Sequence, residues 1–204
     1  MVEQVSNRTL YHVTVTKPHK RGFVSGQSVR IGEAHNPFFQ FYESPGEYPV
    51  TDGDTGQLIQ VKAVSWLRRV RDGLIRTTPD TLSQIALEVA QHYVMLCREL
   101  IMEHLRQDEF NSGPPSRQRC LYACATLEEA KYWAGRLSDP GMSICSLEAT
   151  GTIHRADARL LIGDSEPLSK TVERGRTYWR GELSSNPELE TLFVGDAVVT
   201  AVDL

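Results

Sequence analysis

From Thr78 to about Arg106 the apolar residues recur at Leu82, Ile85, Val89, Tyr93, Leu96, Leu100 and Ile101. That spacing follows the 3.6-residue period of a helix and not the two-residue alternation of a strand. Thr78–Pro79–Asp80 supplies the start: a hydroxyl N-cap, a proline at the first helical position, and a carboxylate at the positive end of the helix dipole. A long helix therefore occupies the middle of the chain. Its apolar stripe is core packing rather than a site.

The two flanks read differently. Thr9–Val15 (TLYHVTV) is β-branched and aromatic and predicts a first strand. Residues 16–31 read as a loop and a short strand, with turn points at Gly22 and Gly26. An aromatic cluster, His35–Tyr42, precedes a breaker-rich loop over Ser44–Gly56. Leu58–Leu74 reads as a further helix with Trp66, Leu67 and Val70 buried, and with Arg68, Arg69, Arg71 and Arg76 on its solvated face. Beyond Gly113–Pro114–Pro115 the pattern predicts a strand over Cys120–Ala125, a helix over Leu127–Leu137 and a strand over Ser143–Glu148. The last third reads as β-rich, with Phe193–Val194 and Val198–Val202 separated by Gly195–Asp196. Strands at both ends with helices between them make an α+β arrangement. The 204 residues suffice for one domain, 1–204, with a helical segment at about 58–107, and no long linker or repeat divides them.

With 40% hydrophobic and 24% charged residues the chain has an ordinary globular composition. A net charge of −4 and a pI near 5.9 lack the basic footprint of a dedicated nucleic-acid binder. The N-terminal MVEQVSNRTLYHV has no apolar signal-peptide core, and no apolar run reaches the ~18 residues of a membrane span. The expectation is a cytoplasmic protein, or one delivered into a target cell by a specialised secretion system. Cys97, Cys120, Cys124 and Cys145 form no CxxC pair and have no co-ligands at metal spacing, so free thiols and no metal are expected. GxSxG, P-loop, GxGxxG and HExxH motifs do not occur.

The residues that could carry chemistry are few. In the first strand His12 and Thr14 share one face, and Tyr11 and Val13 the other. A strand histidine alone is more often structural than catalytic. Glu188 and Glu190 would share a face in an extended segment, where two desolvated carboxylates raise the pKa of one. Tyr122 and Tyr132 flank the junction between the strand and the helix over 127–137, either as core aromatics or as two walls of a pocket. Arg117 precedes that strand and could contact a phosphate.

Taken in order, Leu10–Tyr11–His12–Val13–Thr14, then Leu121–Tyr122–Ala123 with Ala130–Lys131–Tyr132, then Glu190 ahead of Leu192–Phe193–Val194, this chain resembles the His-Tyr-Glu class of ADP-ribosyltransferases, which includes diphtheria-toxin-like enzymes and poly(ADP-ribose) polymerases. The resemblance touches residues near 9–15, 119–134 and 186–202. It implies split antiparallel sheets around an NAD cleft. It also implies that His12 orients the adenosine-side ribose, that backbone near Val13 holds the carboxamide with support from Thr14, and that Tyr122 and Tyr132 flank the nicotinamide. Glu190 would bind the 2′-hydroxyl of the nicotinamide ribose. Most of the aromatic segment Asn36–Tyr42 reads as core, with Asn36 or an adjacent aromatic a candidate for the adenine side. Two departures stand out. Val13 replaces the family's usual glycine, and Glu188–Leu189–Glu190 looks like the Glu-x-Glu element of the arginine-modifying branch, making Glu188 a substrate-selecting candidate. The implied activity is mono-ADP-ribosyl transfer from NAD to a macromolecule, protein rather than nucleic acid given the acidity, by a toxin- or effector-like unit that could have an inhibitor or immunity partner. NAD hydrolysis and an inactive NAD-binding module are the alternatives.

Overall fold

The computed structural model describes residues 2–15, 22–44, 46–51, 55–137, 141–161 and 166–204. The chain divides into two compact units, one made of residues 1–36 with 99–204 and the other of residues 37–98. The boundary between them falls inside the long helix, α3, at Pro79–Asp108. Thr78 caps that helix, as its sequence predicts, by accepting from the Thr81 N–H at 3.1 Å.

The first unit is built on a five-stranded antiparallel sheet. Its strands are β1 (Val2–Val15), β2 (Ser28–Ile31), β5 (Leu121–Ala123), β6 (Met142–Asp157) and β7 (Leu189–Ala201). The path runs β1-β6-β7-β2, and β5 pairs with β7. Leu121–Ala123 lies opposite Thr191–Phe193, and Ser28–Ile31 opposite Gly195–Val198. One residue beyond β5, Cys124 bridges to Tyr11 of β1 through two backbone bonds of 2.9 and 2.7 Å. The order β1-β6-β7-β5 thereby returns to β1, and the sheet curls on itself at this end.

The curl needs close backbone approach between β6 and β7. Gly151 and Gly195 face each other with φ of +155° and +141°. A Cβ on Gly151 would meet the Val194 carbonyl oxygen at 2.2 Å, and one on Gly195 the Thr150 oxygen at 2.3 Å. Only glycine fits on either side.

The two sheet faces carry separate cores. Leu10, Leu147, Ile153, Phe193 and Ala123 fill one. Leu192, Ala156 and Cys120 pack on the other against Met102 and Leu105 of α3 and against Tyr178 and Trp179 of α5 (Leu168–Arg180). α4, Leu127–Leu137, packs Ala130 and Trp133 beside Tyr11 and Val13. Its start is capped reciprocally: Thr126 accepts from the Glu129 N–H, and the Glu129 carboxylate accepts from the Ala125 N–H.

The second unit contains α1 (Pro37–Glu43), a hairpin of β3 (Glu47–Thr51) and β4 (Leu58–Lys62), α2 (Ala63–Arg71) and the first part of α3. Val61, Trp66 and Ile85 form its core.

Several sequence expectations shift. Leu58–Lys62 is a strand, and the helix begins only at Ala63. The 44–56 loop contains β3. Val194 and Val198 belong to one unbroken strand, because Gly195 is an approach point and not a turn. α5 escapes the pattern because it is polar, lacks a side-chain cap and carries Gly175 at its contact with Leu105. Cys97 is exposed, whereas Cys120, Cys124 and Cys145 are buried.

Replacing Gly195 with alanine forces a methyl group onto the facing strand at a positive φ. The expected loss is about 2–3 kcal/mol, read as a lower urea midpoint with an unchanged slope. A midpoint within experimental error of the wild type contradicts the close-approach account.

Candidate functional site

The loop before β5 carries the central charge. Ser116 donates to Glu103 Oε2 at 2.8 Å, and Arg106 donates to the Pro114 carbonyl at 3.1 Å. The Asn36 amide donates to the carbonyls of Arg117 and Cys120 at 2.7 and 2.9 Å. The Tyr122 hydroxyl donates to the same Arg117 carbonyl at 2.9 Å. These bonds fix the backbone of Arg117, so its side chain projects inward rather than to solvent.

Arg117 is 3% exposed and lies between two carboxylates. Its Nε donates to Glu99 of α3 at 3.0 Å, and its NH1 to Glu190 Oε1 of β7 at 2.5 Å. The same NH1 lies 2.7 Å from the Tyr178 hydroxyl, which itself donates to Glu190 Oε1 at 2.6 Å. The guanidinium also sits 5.1 Å from the Tyr122 ring centroid and 5.2 Å from that of Tyr178. Burial works against its charge, and Glu190 and Glu99 override that, holding its pKa well above the ordinary value. Burial likewise pushes the Tyr122 and Tyr178 phenols far up, so both remain protonated donors. Among the described residues, both hydrogen bonds to the Glu190 carboxylate fall on Oε1.

A second tier lies two residues back. Glu188 pairs with Arg136 of α4 at 2.5 Å and with Arg159 at 3.4 Å, and its Oε2 is buried without a hydrogen-bond partner among the described residues. Its backbone is set by Asp157, whose carboxylate accepts the N–H groups of Arg159, Ser184 and Glu188. Burial opposes ionisation of Asp157, and those donors overcome it and lower its pKa. Glu188 thus pairs with Arg136 and Arg159, whereas Glu190 shares Arg117 with Glu99.

The register settles which sequence candidates meet. Tyr122 lies opposite Leu192, and β7 alternates, so Tyr122, Leu192 and Glu190 share one face. His12 lies opposite Cys145, in line with Leu10 and Leu147, on the other face, where its ring meets Phe23 at 5.5 Å. His12 reaches the site through its Nδ1, 2.8 Å from the Tyr122 carbonyl oxygen. Burial lowers its pKa, and that hydrogen bond works in the opposite direction. Thr14 follows on His12's face and Val13 on the opposite one. Because Tyr11 bonds Cys124, antiparallel alternation turns the N–H and C=O of Val13 the same way, to the side of β1 that carries this isolated bridge to the end of β5.

Tyr132 is 49% exposed on α4, with its ring against Trp133 and its hydroxyl accepting from Arg136 at 3.2 Å. It belongs to the Glu188 tier rather than facing Tyr122. Arg117 and Asn36 occupy structural positions inside the cluster, in place of the phosphate and adenine contacts expected for them. Glu99 and Tyr178 were not anticipated. Glu99 does share a helix face with Met102 and Leu105, a carboxylate in an otherwise apolar row, and that is a readable signal. Tyr178 lies in the helix that the pattern conceals.

The buried thiols of Cys124 and Cys145 are poor nucleophiles. Burial pushes Cys124 up to about 12 and Cys145 up to about 11. Among the described residues no group of His, Cys, Asp or Glu is arranged to hold a metal, and no helix is long and apolar enough to cross a membrane.

Fold and site together define an α+β protein whose curled antiparallel sheet carries a buried Arg–Glu–Tyr cluster and a single bridge between β1 and the end of β5. The chain belongs to the family described as "Protein of unknown function (DUF2441)", whose model matches residues 10–203. Comparison with curated proteins gives no match.

Arg117→Ala leaves Glu99 and Glu190 buried without their shared cation. The expected cost is about 3–5 kcal/mol, measured by urea denaturation near neutral pH. A loss below about 1 kcal/mol, the range of an exposed pair, contradicts the buried bridge.

Proposed function

We propose that this protein is a mono-ADP-ribosyltransferase that cleaves the nicotinamide–ribose bond of NAD and transfers ADP-ribose to a macromolecular acceptor, a protein side chain in the first instance. In the reaction the carbon–nitrogen bond breaks and its electron pair leaves with the nicotinamide nitrogen. The acceptor's lone pair then forms the new bond to the ribose carbon, and the acceptor loses its proton.

The observation that carries this reading is the Glu190 carboxylate. One of its oxygens is fixed by two donors, Arg117 NH1 and the Tyr178 hydroxyl. A fixed anion of this kind stabilises the cationic ribose more in the transition state than in the ground state. The Val13 peptide group on the bridge side of β1 supports a carboxamide contact. Tyr122 supplies an aromatic face on the same side as Glu190, and such faces suit a cationic ring. Because His12 emerges on the opposite face, a substrate that uses both lies across the bridge between β1 and the end of β5. Arg136 and Tyr132, exposed beside the buried Glu188, form the neighbouring surface that an acceptor would meet.

Incubation with NAD carrying a label on its adenine side tests the reading. Transfer of the label to protein supports the transferase. Nicotinamide release without transfer replaces it with NAD hydrolysis. Intact NAD at millimolar substrate defeats both. Glu190→Gln is expected to lower turnover at least ~10²-fold while the protein still melts cooperatively. Unchanged turnover assigns the carboxylate role elsewhere, with Glu188 next.

A further inference from the structure

The buried cluster contains more residues than the reaction would touch, and its connectivity explains why. Arg117 NH1, the Tyr178 hydroxyl and Glu190 Oε1 form a closed triangle of 2.5, 2.6 and 2.7 Å. Glu99 is 1% exposed and occupies the other side of the guanidinium through both of its oxygens, at 3.0 and 3.4 Å. Arg117 can therefore neither swing toward solvent nor rotate away from Glu190. Tyr178 is fully buried and held from behind, because Trp179, its neighbour, donates to the Met102 carbonyl at 2.9 Å. Gly175, one turn earlier, lets α5 close onto α3: a Cβ there would meet Leu105 at 2.6 Å. The loop before β5 and α5 thus converge on a single carboxylate oxygen, and α3 holds the loop's arginine from its other side.

We propose that Glu99, Arg117 and Tyr178 are positioning residues that clamp Glu190 through its Oε1 and so aim its Oε2 at the reacting ribose. This rests on the reading of the protein as an NAD-cleaving enzyme. The clamp itself is a property of the cluster. It sets the rotamer of Glu190 before substrate arrives, and misplacement of a reacting group by about 1 Å costs on the order of 10²-fold in rate. Tyr178 orients through a hydrogen bond only, so its loss lowers turnover without altering what the substrate binds.

Tyr178→Phe keeps the ring and its packing and removes only the hydroxyl. It is compared with Glu190→Gln and with the double variant, in urea denaturation and in NAD turnover. In urea, the midpoint shift of the double variant is expected to be smaller than the sum of the single shifts, because both substitutions break the same contact. In kinetics, Tyr178→Phe is expected to lower kcat about 10²-fold with KM for NAD unchanged, and to have no further effect once Glu190 is Gln. Glu99→Gln, which leaves Arg117 less firmly held, follows the same pattern with a smaller loss. Additive midpoint shifts overturn the clamp whatever NAD does. So does an unchanged kcat, or an equal loss in the Glu190→Gln background, in an active protein. Intact NAD with the wild type beside coupled midpoints overturns the proposed function and leaves the clamp standing.

Discussion

Arg117, buried between Glu99 and Glu190, is the contact on which the first unit depends. It joins the C-terminal part of α3 to β7 and to α5 through one guanidinium. Taking three charges out of water is costly, and their attraction offsets that only where geometry is good and the remaining donors are satisfied. Here the satisfaction is thorough. Asn36 and Tyr122 hold the Arg117 backbone, and Glu99, Glu190 and Tyr178 take up its side chain. Such a network is weak evidence for stability as such, since well-packed apolar residues would serve as well. Its value lies in fixing one arrangement of one carboxylate.

The sheet makes that arrangement possible. Gly151 and Gly195 let β6 and β7 approach and curl, and the curl brings Cys124 back to Tyr11. The backbone of Val13 turns to the side of β1 that carries the bridge, and β7 sets Glu190 on the face of Tyr122. A curled sheet, a single bridge between β1 and the end of β5, and a buried carboxylate follow from one set of pairings.

Much of this was legible in the residues. Thr78–Pro79–Asp80 announced α3, and Leu127–Leu137 is a helix with the bounds its pattern predicts. The long strand β7 was less legible, because Gly195–Asp196 has the composition of a turn and only a facing Gly151 explains it otherwise. α5 was hidden by its polarity, and Tyr178 with it. Glu190 and Tyr122 were singled out and do meet, through Arg117. The facing of His12 could not be read, because local alternation fixes which residues share a face and only the full register fixes how faces of distant strands correspond. Arg117 could be read as a cation ahead of a strand, but whether it turned outward to a phosphate or inward to carboxylates depended on Asn36, eighty-one positions away.

On the proposed function, NAD lies beside Glu190, at the bridge between β1 and the end of β5. Hydrogen–deuterium exchange with and without NAD, using the Glu190→Gln protein to preserve the substrate, tests it most directly. Slower exchange confined to residues 10–14, 120–126 and 188–192 is the predicted result. No change at any concentration up to the millimolar range, or protection confined to residues 37–98, contradicts it.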